Sequence, residues 1–265
     1  MSEFEMSSIL PLTVDGYQYE IMKQEHISRV TKMVALSFVQ FEPMAVALEC
    51  QVSEMMPFVE RFCQKTLDQK LSLVATHLET GDLAGAYLAH DHGRELDMGE
   101  MSPKLVSIFT ALESIVGDAD QRVGLSGDSN QCIMENLMWS VQSEHNDRNI
   151  GVNLFQLARI NALLKGFNKL LGVCTSPVST YLMGQQMEKM GSLYTTSKLY
   201  EDFSIDGSYP FLDINSKLPK SFRWKEGKPY YKFFLVDIDN ESEKTPSELN
   251  QICAEILAEV KGWKE

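Results

Sequence analysis

Residues 133–164 constrain this chain more than any other stretch. Ile133-Met134-Glu135-Asn136-Leu137-Met138-Trp139-Ser140-Val141 is an extended run that places Ile133, Leu137, Trp139 and Val141 on one strand face. A short loop follows, and from about Val152 to Lys165 apolar residues recur at helical spacing as Leu154, Leu157, Ala158 and Leu164. A strand that opens through a loop into a helix aims several unpaired backbone N–H groups at one point. The helix dipole adds to them, and the junction becomes an anion site. Gly151 removes a side chain where a phosphate would have to approach the backbone. The junction defines a geometry and, alone, no ligand.

The rest of the chain supplies elements on both sides. Tyr17 to Met22 alternates as a first strand, and Ile27, Val30, Val34 and Phe38 form a helical stripe. Ser53 can cap a second helix running to Lys70, with Pro57 in its first turn. Leu71 to His77 and Leu83 to Ala89, joined by a Glu79-Thr80-Gly81-Asp82 turn, read as a hairpin. Residues 91–130 are an insertion with a helix from Ser102 to Val116 and a turn-rich end, Gly124 to Asn130, expected to be mobile. Lys169 to Thr175 reads as a strand, Ser179 to Met190 as a helix, and Tyr194 to Ile205 and Tyr230 to Ile238 as the last strands. The expected division is a flexible leader (1–16), one domain (17–240) and a C-terminal helical extension (241–265). Packing, self-association as a homodimer and partner binding remain open for that extension.

Composition narrows the class. With 265 residues, 44% of them hydrophobic, the chain can bury the core of one large domain. A net charge of −13 supplies no basic footprint for nucleic acid and favours cationic partners at long range. No apolar run approaches the ~20 residues needed to span a bilayer, and the acidic start lacks the basic residues of a signal peptide. Five cysteines with no Cys-x-x-Cys spacing argue for reduced thiols and a cytoplasmic setting. His90 and His92 flank Asp91 without placed companions, so no metal is expected.

The junction resembles motif A of the GNAT superfamily, the acetyl-CoA-dependent N-acetyltransferases, whose pattern is Gln/Arg-x-x-Gly-x-Gly/Ala. Arg148, Gly151 and Asn153 occupy its three positions. Asn149 stands where many members carry a second glycine, and Asn153 replaces the usual Gly or Ala. Its amide either crowds a pyrophosphate or donates to it. Glu188-Lys189-Met190-Gly191-Ser192 is similar to the family's Glu-Lys-Leu-Gly-Phe ending, and the 71–89 hairpin to its central hairpin. Phe38-Val39-Gln40-Phe41-Glu42-Pro43-Met44 resembles the Phe-x-x-x-Glu-Pro-Leu segment of arylalkylamine-type members. The resemblance implies an α/β fold with a mixed, splayed central sheet and helices on both faces. It implies acetyl-CoA as co-substrate, its pyrophosphate held by the backbone of Arg148, Asn149, Ile150, Gly151, Val152 and Asn153, its pantetheine beside Val141, Gln142 and Ser143.

Acyl transfer to an amine needs a base, and two glutamates are candidates. The resemblance makes Glu42 the base, and its neighbours Phe41, Pro43 and Met44 favour a desolvated, raised carboxyl. Glu135 is the rival, because an acid on an apolar strand face is paired or functional and other GNAT members carry a catalytic Glu on this strand. The tyrosine that many members use to protonate the departing thiolate is replaced by Met187, leaving Ser179 and Tyr181 as substitutes. The leading reading is N-acetylation of a small primary amine. Glu135 motivates a protein or peptide acetyltransferase instead, and Met187 with the altered glycines a CoA-binding protein without catalysis.

Overall fold

The computed structural model describes residues 6–125, 132–146, 148–188, 190, 193–238 and 246–262. One mixed sheet of eight strands runs through the molecule: β1 (Leu12–Val14), β2 (Tyr17–Ile21), β3 (Leu73–His77), β4 (Leu83–Asp91), β5 (Ile133–Val141), β6 (Lys169–Cys174), β7 (Leu193–Leu199) and β8 (Tyr230–Asp237). Their order is β1-β2-β3-β4-β5-β6-β8-β7, so the last strand lies between the two before it. Every pairing is antiparallel except β5 with β6.

Helices cover both faces. One core packs α2 (Ile27–Phe41), α3 (Pro43–Ala47), α4 (Val52–Thr66) and α5 (Pro103–Val123) against the sheet. The other holds α1 (Met6–Ile9), α6 (Ile150–Leu164), α7 (Pro177–Glu188) and α9 (Pro246–Gly262), while the short α8 (Ile214–Lys217) joins the first. Strands buried on both faces read as unbroken apolar runs. Phe233 and Leu235 enter the first core, Phe234 and Val236 the second.

Three expectations change. The described part of the leader is held rather than loose: α1 and β1 dock, with Ile9, Leu10 and Val14 buried. The helix after the junction is buried almost all round, because α9 covers the face that a two-layer packing would expose; Cys253, Ile256 and Val260 seal it. Third, β5 does not keep one face. Leu88 pairs with Met138 but Ala89 with Asn136, which leaves Leu137 as an extra residue in a bulge. Ile133 and Leu137 therefore face the first core, Trp139 and Val141 the second. Residues 1–5 of the leader, residues 126–130 of the turn-rich segment, Lys189, Gly191, Ser192, Thr245 and Trp263 lie outside the described residues.

The bulge positions everything that follows. The parallel ladder runs only from Ile133–Lys169 to Asn136–Gly172. Beyond it β5 continues to Val141 paired with β4 alone, and β6 pairs onward with β8. The two central strands part, and a wedge opens between them. Gly85 lets α6 close over β4 beside this wedge: a Cβ there would stand 2.9 Å from the Ile150 side chain and 3.3 Å from the Ser140 carbonyl.

Candidate active site

A cleft of about 750 Å³ lies where the strands part, lined by Phe38, Glu42, Asn136, Trp139, Thr175 and Ser179 among others. A second lobe of about 1240 Å³ adjoins it, reaching Phe62, His92, Leu96, Met98 and Glu135. Phe58, Phe109, Leu112, Asn136, Leu137 and Val173 wall both. Phe109 and Leu112 come from α5, so the helix of the 91–130 insertion shapes the passage between the lobes.

Glu42 occupies the joint between α2 and α3. Its N–H closes α2 on the Phe38 carbonyl at 3.0 Å, and its Oε2 accepts from the Ala45 N–H at 2.6 Å, capping α3 ahead of Pro43. Its Oε1 is buried and has no hydrogen-bond partner. Burial raises the carboxyl above its ordinary value; the Ala45 and Met44 amides and the Thr175 hydroxyl pull it back only in part. The Thr175 hydroxyl stands near without reaching hydrogen-bond geometry to Oε1. Thr175 is in turn held by Tyr200, whose phenol donates to the Thr175 carbonyl at 2.7 Å. Burial, and then the Glu42 charge, drive the Tyr200 phenol far up, so it stays protonated and serves as a strut.

Glu135 sits in the other lobe and in the opposite electrostatic state. His92 Nδ1 lies 2.7 Å and His90 Nε2 3.3 Å from its Oε2. Burial pushes the carboxyl up, but the two imidazoles outweigh it and leave it at about 2. The two glutamates are not brought to one point.

Ser179 lines the cleft and also caps α7. The Ser179 N–H donates to Ser176 Oγ at 3.0 Å, and the Ser176 N–H donates to Ser179 Oγ at 3.2 Å. Tyr181 points away; it is 64% exposed and its hydroxyl accepts from the Gln185 amide. The buried Cys174 thiol beside Ser179 is pushed up to about 12 by desolvation, far from a reactive thiolate.

At the junction, β5 ends with Val141, a turn spans Ser143–His145, and α6 opens at Ile150. Asn149 takes a left-handed conformation (φ 54°). Asparagine tolerates that region better than most residues, which explains its presence where many GNAT members carry glycine. The backbone N–H groups of Asn149, Ile150, Gly151 and Val152 have no partner among the described residues, whereas that of Asn153 donates to the Asn149 carbonyl at 2.9 Å. Arg148 is exposed beside them. Gly151 has a packing reason as well: a Cβ there would meet the Trp139 indole at 3.0 Å, so the glycine lets α6 seat on β5. Asn153 resolves both of its alternatives against the phosphate. Its side chain turns inward, 3% of the residue is exposed, and its amide donates to the Tyr19 hydroxyl at 3.0 Å. Asn153→Ala should therefore cost about 1 kcal/mol of stability in urea unfolding.

In fold, the chain is similar to arylalkylamine N-acetyltransferase 2 from Aedes aegypti, with a TM-score of 0.64 at 16% identity, over 85% of this chain and 100% of that one. The C-terminal condensation domain of Ebony, in complex with β-alanyl-dopamine, gives 0.64 at 20% identity, over 83% and 98%. An agmatine N-acetyltransferase mutant gives 0.60 at 15%, over 84% and 100%. The chain has the GNAT fold. No family model matches the sequence, and no curated protein matches it. Within this fold, β5, the junction and α6 follow one another in the chain, and β5 pairs in parallel with β6 before the two part.

Sequence reasoning missed Asn136, Trp139 and Thr175 as cleft residues and Tyr200 as the strut that holds Thr175. Asn136 carried a readable signal, a carboxamide in the middle of an apolar strand. Tyr200 carried none, since its position depends on a strand inserted later in the chain.

Proposed function

We propose that this chain is an N-acyltransferase that uses acetyl-CoA to acetylate a small primary amine. The observation that carries it is a buried carboxylate with one unpaired oxygen, Glu42 Oε1, in the wedge where β5 leaves β6. The wedge ends beside the start of α6, where four amides have no partner among the described residues, and those amides with Arg148 suit a diphosphate. Val141, the last β5 residue paired with β4, and Gln142 and Ser143 after it suit an extended pantetheine arm alongside. Acetyl-CoA supplies an activated acyl group whose departing thiol has a pKa near 8.5.

Glu42 then does the chain's share of the chemistry. An aliphatic ammonium has a pKa of about 10, so neutralising it at pH 7 costs about 4 kcal/mol. A carboxylate raised by burial accepts that proton more readily than an ordinary one. Ser179 is the nearer of the two hydroxyl candidates for protonating the thiolate, since it lines the cleft and Tyr181 does not. A small amine as acceptor is supported by the likeness in fold to an arylalkylamine and an agmatine N-acetyltransferase. Glu135, on which a protein or peptide acceptor rested, has its carboxylate engaged by two imidazoles. The five free thiols suit a reducing, cytoplasmic setting.

Titration calorimetry with acetyl-CoA, followed by free-thiol release against a panel of amines, tests the proposal. Saturable binding with amine-dependent thiol release is expected. Binding without release from any amine leaves a CoA-binding protein, and no binding overturns the reading.

A further inference from the structure

Among the described residues lining the first lobe, three polar atoms are buried without a hydrogen-bond partner: Glu42 Oε1, Trp139 Nε1 and Asn136 Oδ1. Buried polar groups are almost always paired, so each such orphan calls for a cause. Asn136 is the least explained. It is the last β5 residue in the parallel ladder, one step before the bulge, and it borders both lobes. Its register partner on β6 is Gly172, which offers no side chain to bond it. Its carboxamide makes no hydrogen bond to any described residue. A structural asparagine at that place would have found a partner. One kept unpaired at the boundary between two lobes is suited to a ligand.

We propose that the Asn136 carboxamide binds the acceptor nitrogen, its Oδ1 accepting one N–H while Glu42 takes the proton from another. The inference rests on the transferase reading and adds a second group to its acceptor site. Glu42 Oε1 and Asn136 Oδ1 are both acceptors, and an ammonium offers only donors. The amine's body then lies in the larger lobe against Phe58, Phe109 and Leu112, and its nitrogen stops at the boundary. Asn136 is thereby a catalytic residue for orientation and carries no proton itself.

Asn136→Leu tests this because the two possible roles have opposite signs. The substitution fills similar space and removes an unpaired buried oxygen. If the carboxamide serves a ligand, the unliganded protein keeps or raises its Tm. At the same time kcat/KM for the amine falls roughly tenfold or more, with the acetyl-CoA dissociation constant unchanged. Asn136→Asp, which retains an acceptor oxygen, recovers part of the loss above the carboxyl's pKa. A fall in Tm for the leucine variant overturns the proposal, as does an unchanged kcat/KM. Wild-type protein that binds acetyl-CoA yet acetylates no amine overturns the transferase reading and this assignment with it. Active wild type with an equally active Asn136→Leu sinks this assignment alone.

Discussion

Glu42→Gln should lower the turnover of amine acetylation by roughly 10²–10⁴-fold, the usual worth of a positioned general base, while acetyl-CoA binding stays intact. The substitution keeps an oxygen to cap α3 through the Ala45 N–H, so the joint between α2 and α3 persists. What it removes is proton affinity at an oxygen with no other partner. The pH profile makes the assignment specific. The base must be ionised to act, and burial raises this carboxyl above its ordinary 4.5. Wild-type kcat/KM at low amine saturation therefore falls with decreasing pH through a midpoint above the ordinary carboxylate range, and the residual activity of Glu42→Gln lacks that limb. Turnover within a few-fold of wild type, with the acid limb unchanged, removes Glu42 from the chemistry.

The motif that pointed to Glu42 named the residue but not the reason for its state. Local sequence supplies the cap, Pro43 and the neighbouring Met44, all legible from the chain. The Thr175 hydroxyl that partly offsets the desolvation, and the Tyr200 phenol that holds Thr175, lie more than 130 residues away, brought up by β6 and by the turn after β7. Periodicity gave the helices and most strands, because an apolar stripe has one solution when one face is buried. It misjudged β5, since a period of two assumes an unbroken ladder and the Leu137 bulge moves every later side chain to the opposite face. The same bulge separates β5 from β6, so the feature that hid the strand's facing is also the one that opens the cleft. Gly151 shows a related limit. A glycine at a helix start admits a phosphate or a neighbouring side chain, and its approach to Trp139 is invisible in the local pattern. Asn153 stood in the right motif position and faces the wrong way for it, because Tyr19 on β2 offers a buried partner that no local pattern announces.

Glu135 should prove a stability element with a pH window of its own. Its carboxyl is held at about 2 against an ordinary 4.5: burial opposes ionisation, but hydrogen bonds and charge from His90 and His92 prevail. A depressed carboxyl stabilises the fold above its unfolded value, and that contribution is lost as pH falls from about 4.5 toward 2. His92 moves the other way. Its hydrogen bond to Glu135 raises it above 6.5 despite burial, so its contribution is complete below 6.5 and is lost as pH rises through the folded value. Both are present together only between about pH 4.5 and 6.5. For Glu135 alone, the stability lost on acidification is on the order of 3 kcal/mol. Urea unfolding from pH 3 to 9 should show wild type exceeding Glu135→Gln most near pH 5 to 6. The gap narrows on either side, and amine acetylation by the variant stays within a few-fold of wild type. A constant offset across the whole range would mean that the His92–Glu135 contact is only a neutral hydrogen bond. The contrast with Glu42 follows from neighbours alone: an unpartnered oxygen in an apolar wedge gathers a proton, and one gripped by two imidazoles gives it up.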